Sequence, residues 1–101
     1  MVVYEVNLSL NADIVKDYLD WLKPHIVEMM TFGGFVSYQM FKVSDTEYCV
    51  QYKVMSEDHL NTYFNTHAKR MREDGINRFG DQFSATRRIM ECIDELNPKK
   101  M

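Results

Sequence analysis

Between Leu60 and Arg88 the chain carries Leu60, Tyr63, Phe64, His67, Ala68, Met71, Gly75 and Phe79 at helical spacing. Gly80 then stops the pattern, and a strand-like run from Gln82 to Ile93 follows almost without a loop. Apolar residues recurring every three to four positions give a helix with one buried stripe. A helix of that kind needs a sheet to lie on, and the short turn brings the following strand back into that sheet. The same stretch gathers every arginine of the chain: Arg70, Arg72, Arg78, Arg87 and Arg88.

The rest of the sequence supplies the other strands. Val2 to Leu10 alternates, with Val2, Tyr4, Val6, Leu8 and Leu10 on one face and Val3, Glu5, Asn7 and Ser9 on the other, as a half-buried strand does. Asn11 is placed to cap a helix that turns Ile14, Val15, Tyr18, Leu19 and Leu22 inward. Pro24 lacks a donor and clashes with the preceding turn, so a kink or a restart is expected there. A second helical piece then runs to Gly33 and Gly34. Phe35 to Val43 and Thr46 to Val54 read as a hairpin about Ser44-Asp45. In its tightest register Phe41 lies beside Tyr48 and Phe35 beside Val54, and a one-residue slip would exchange the two faces. Ser56 caps the second long helix, with Glu57 and Asp58 near its positive end.

The order is βαββαβ, the ferredoxin-like arrangement. Right-handed crossovers turn it into a four-stranded antiparallel sheet with two helices on one face, an α+β fold. Residues 1–96 form a single domain in this reading, and 97–101 a flexible tail. A chain of 101 residues is large enough for one modest core.

The net charge of −3 argues against electrostatic capture of nucleic acid. No run approaches the roughly 20 apolar residues of a membrane helix. The first residues lack a basic region and a cleavage site, so a cytoplasmic protein is expected. Cys49 and Cys92 are too few for a disulfide framework and, in this topology, too far apart to bridge. His25, His59 and His67 lack zinc-like spacing. Asp13, Asp17 and Asp20 read as solubilising charge, so no metal and no cofactor is expected.

With these elements placed, the chain resembles a small bacterial family, a domain of unknown function with a ferredoxin-like, dimeric α+β barrel fold. The resemblance covers nearly the whole chain. Trp21-Leu22, His25-Ile26 and Thr31 to Phe35 carry it, together with Tyr63, Ala68, Met71-Arg72, Gly75, Phe79-Gly80-Asp81, Phe83 and Arg87. Such families often have proline after the His-Ile pair, where this chain has Val27 and instead carries Pro24 before His25. More distantly the pattern is similar to dimeric barrels that include cofactor-free monooxygenases and sugar mutarotases.

Tyr18, Trp21 and His25 share one edge of the first helix if that helix survives Pro24. His25 reads either as a general acid or base near neutral pH or as the cap of a broken helix. His67 lies in the apolar stripe, where a packed histidine is commoner than a functional one; Tyr38, Tyr52 or Arg87 in the same cavity would change that reading. Arg87 and Arg88 are adjacent on a strand and must point to opposite faces. Glu5 and Glu28 are the plain partners for whichever is covered, and a bound anion is the alternative.

Two functions follow. One is a homodimer, formed sheet to sheet, with a small-molecule pocket between sheet and helices. There His25 or His67 moves a proton, Trp21 and Tyr38 line the ligand, and Arg87 steadies an anionic oxygen. The other is a non-enzymatic dimer that binds a metabolite or a protein.

Overall fold

A computed structural model describes residues 1–96. The strands are β1 (Val2–Leu10), β2 (Phe35–Lys42), β3 (Glu47–Val54) and β4 (Phe83–Glu91). The helices are α1 (Val15–Met29), preceded by a 3-10 turn at Ala12–Ile14, α2 (Glu57–Thr66) and α3 (Ala68–Phe79). The sheet order is β2-β3-β1-β4 and every pairing is antiparallel. This is the ferredoxin-like topology, and β1 lies between β3 and β4 as the crossover rule requires. One core joins Tyr4, Leu8, Val50, Tyr52 and Val54 of the sheet to Leu22, Ile26, Leu60 and Met71 of the helices. The tail expected over 97–101 lies outside the described residues.

Four local expectations are corrected. Pro24 neither kinks the chain into two pieces nor restarts it, and α1 runs through it. Its ring sits on the exposed side, so the Asp20 carbonyl that loses a donor faces solvent rather than the core. Asn11 occupies the position before the first turn, but its side chain makes no capping bond. The second long helix is divided at His67, whose φ of −126° leaves the helical range. Helical hydrogen bonds still flank it, from His67 N–H to the Tyr63 carbonyl (2.8 Å) and from Met71 N–H to the His67 carbonyl (3.0 Å). Meanwhile its ring stacks on Phe32 at 4.0 Å.

The fourth correction is the hairpin. The connection spans 43–46 rather than two residues, and β2 pairs Phe41 with Cys49, Met40 with Val50 and Tyr38 with Tyr52. An irregularity between Phe35 and Ser37 restores the expected Phe35–Val54 pair. Tyr38 and Met40 therefore belong to the helix side, and Phe41 to the open face. Beyond Phe35 every residue of β2 is exposed, because no helix reaches over this edge strand.

The open face of the sheet holds a polar cluster. Glu5 is only 3% exposed, although alternation alone would place it in water. Its carboxylate accepts from Arg88 Nε (2.5 Å), Gln51 Nε2 (2.8 Å) and Asn7 Nδ2 (3.0 Å). These bonds, the one from Arg88 above all, hold the carboxyl down at about 2. Glu5 thus pairs with Arg88, while Glu28 pairs with Arg70 at 2.5 Å. Both cysteines are free, Cys49 buried and Cys92 exposed. Among the described residues no helix is long and apolar enough to cross a membrane.

Candidate functional site

Alternation on β1 sends Tyr4, Val6 and Leu8 towards the helices, and register places Arg87 of β4 opposite Val6 on that same side. On α1, Tyr18, Trp21 and His25 form one row because the helix survives Pro24, with Trp21 and His25 ring centres 4.7 Å apart. From α3 come Arg72 and Gly75. Between these elements lies a cavity of about 260 Å³.

None of its polar side chains is an acid. Tyr4, Tyr18, Tyr52, Tyr63, His25, Ser84, Arg72 and Arg87 line it, and no aspartate or glutamate does. Burial pushes the Tyr18 phenol up to about 12, and it raises Tyr52 and Tyr63 as well. All three are therefore neutral hydroxyls that can donate, and none is hydrogen bonded to another described side chain. Burial also lowers His25, which is thus a neutral imidazole at pH 7. Arg72 donates to the Tyr4 hydroxyl at 3.3 Å, with its guanidinium 5.9 Å from the Phe64 ring centre. Arg87 is in no ion pair among the described residues. Arg72 and Arg87 are both exposed and border the cavity where it meets solvent. Two guanidinium groups with no acid among the lining residues favour an anionic guest.

Gly75 permits one close approach. A Cβ there would meet Trp21 Cη2 at 3.2 Å and Phe83 Cζ at 3.3 Å, so both rings rest against the α3 backbone.

Of the residues singled out from sequence, Trp21, His25 and Arg87 meet in this cavity. His67 and Tyr38 are not among its lining residues. His67 is held against Phe32, and Tyr38 is 47% exposed on the edge strand. Arg72, which the sequence did not single out for the site, is exposed on α3 and also borders the cavity. The signal was its place three residues before Gly75, on the border of the apolar stripe. Tyr63 was visible only as core, because periodicity does not distinguish a packed phenol from one bordering a void.

The chain is thus a ferredoxin-like α+β domain with a cavity between its sheet and its helices. The sequence profile of Domain of unknown function (DUF4286) matches residues 1–93, and the chain belongs to that family. No curated protein matches it. Among solved structures it is similar to SnoaB, a cofactor-independent oxygenase from Streptomyces nogalater, in a mutant form. The two share 10% identity and a TM-score of 0.74, with 94% of this chain and 96% of that chain covered. A dimeric ferredoxin-like protein from an uncultured marine organism shares 10% identity at a TM-score of 0.76, covering 94% of this chain and 97% of that one. The heme-degrader MhuD of Mycobacterium tuberculosis, solved with two hemes bound in its active site, shares 13% identity at 0.71, covering 96% and 100%. At such identities the likeness is one of fold.

Proposed function

We propose that the protein is a cytoplasmic homodimer that binds and converts a small anionic metabolite in the sheet–helix cavity without a resident cofactor. The observation that carries this reading is the cavity's polar inventory: donors from three helices and three strands, and no carboxylate. Arg87 holds the anionic oxygen, and the neutral phenols donate to it. His25, uncharged at neutral pH, takes a proton from the substrate while Trp21 keeps its ring in place. Small anionic metabolites are expected to raise the melting temperature of the wild type. At a hundredfold excess over Kd the gain is about 2.7 kcal/mol, which is several degrees for a domain of this size. Arg87→Gln should lose that gain. Absence of stabilisation by every anion of a broad panel would refute the reading, and binding without turnover would make the protein a binding module rather than an enzyme.

The second copy covers the open sheet face. Phe41 is 44% exposed there and Met90 lies at the far side of the same face. Glu5 between them is already neutralised within its own chain, so covering it leaves no orphan charge. Light scattering at micromolar concentration is expected to give twice the 12.0 kDa chain mass, and Phe41→Glu to return it towards the monomer. A wild-type monomer mass would dispose of the dimer.

A further inference from the structure

We propose that the ligand of the cavity is a monocyclic aromatic carboxylate, its ring lying among Tyr18, Trp21 and Phe83 and its carboxylate on Arg87. This rests on the reading of the cavity as an anion site and adds the shape and class of the anion.

The aromatic half of the argument is the wall. Tyr18 lies 5.4 Å from Trp21 and 5.1 Å from Phe83, centre to centre. Gly75 lets Trp21 and Phe83 close on the α3 backbone. Flat, rigid side chains form this end of the cavity, and a flat guest gains stacking and edge contacts there that a puckered or flexible one of equal area does not.

The acidic half is Arg87. Arg72 is already engaged by the Tyr4 hydroxyl and the Phe64 ring. Arg87 lines the same cavity and has no carboxylate partner among the described residues. A guanidinium fork is matched by a carboxylate, which takes two parallel hydrogen bonds. The unbonded phenols of Tyr18 and Tyr63 line the same space and can donate to the remaining oxygen lone pairs.

Size agrees with this choice. At the packing density of protein interiors, about 0.74, the cavity of about 260 Å³ holds about a dozen non-hydrogen atoms. One ring, one carboxylate and a small substituent or two fill it, whereas a tricyclic acid would extend past exposed Arg72 and Ile76 into solvent.

Trp21 is the single tryptophan of the chain and borders the cavity, so its fluorescence reports occupancy directly. The protein is titrated with benzoate, with cyclohexanecarboxylate (same charge, no flat ring) and with benzyl alcohol (ring, no charge). Benzoate is expected to give a saturable change and to bind at least tenfold more tightly than either of the others. Arg87→Gln should weaken benzoate at least tenfold, while Lys23→Gln, which removes a charge from the exposed side of α1, should leave it unchanged. Circular dichroism confirms that both variants fold. Cyclohexanecarboxylate binding as tightly as benzoate overturns the aromatic assignment and leaves the anion site standing. Benzyl alcohol binding as tightly overturns the role of Arg87. If none of the three saturates, the proposal falls, and the wider anion panel then decides whether the anion reading falls with it.

Discussion

Gly34→Ala is expected to cost about 3 kcal/mol, enough to lower the melting temperature of a domain this size by more than 10 °C. Two independent effects add. Gly34 has a φ of +86°, which an alanine adopts only at a cost of about 1–2 kcal/mol. A Cβ there would also stand 2.5 Å from the His59 Cβ and 2.6 Å from its Cδ2. These atoms lie near the root of the side chain, so rotation cannot move them away. His59 is further tied by Ser56, whose hydroxyl accepts from the His59 N–H and contacts Nδ1 at 2.6 Å. Nor can the glycine retreat easily, because its carbonyl accepts from Met55 N–H at 2.8 Å. The double variant Gly34→Ala/His59→Gly, which removes the His59 Cβ as well as its ring, separates the two effects in denaturant titrations. Measured against His59→Gly alone, the Gly34→Ala step should cost less than half as much and leave the backbone strain. A single variant within 0.5 kcal/mol of wild type would show that the packing of the α1–β2 connection against α2 is looser than these distances imply.

Glu5→Ala should cost about 2–3 kcal/mol at neutral pH, because Asn7, Gln51 and Arg88 lose a shared acceptor and two of those donors are left part-buried. Glu5→Gln keeps the shape and one acceptor oxygen and should lose less. The effect depends on pH in a defined direction. The folded carboxyl lies at about 2 against an ordinary 4.5, so its charged form is favoured by folding. That stabilisation is complete above the unfolded value and disappears as pH falls from about 4.5 towards 2. With an exposed guanidinium as the main partner, solvent screening holds the ionic part to about 1–2 kcal/mol. Wild type and Glu5→Ala should therefore converge in stability between pH 5 and pH 2.5. A constant gap across that range would mean that the carboxylate contributes through packing and not through charge.

The fold was legible because its signals are local and repeated. Alternation on Val2 to Leu10 and the stripe from Leu60 to Phe79 each leave only one sensible partner, and their order leaves one topology. The hairpin was not legible to the residue. Its register depends on a four-residue connection where two turn residues suggested a tighter one, and on an irregularity near Val36 that no residue type announces. The break at His67 follows from a stack on Phe32, more than thirty positions away in sequence, which periodicity cannot register. The candidate site was legible in part for the same reason. Trp21 and His25 lie on one helical row and Arg87 on a strand whose facing was open to two choices. Their meeting depended on α1 passing intact through Pro24, and the solvent-facing position of that proline decided it. Glu5 shows the limit from the other side: its place in the alternation is correct, yet three neighbours from three strands remove it from water.

At Gly75 the helix backbone itself forms the back of the aromatic wall. Side chains can change rotamer to admit a larger guest, whereas a helical backbone cannot without shifting the whole of α3. The width of the cavity at Trp21 is thus a property of the scaffold and not of an adjustable side chain. A chain built this way discriminates by girth before any charge is read, and a single methyl group added at position 75 would press on Trp21 and Phe83 by a few tenths of an ångström.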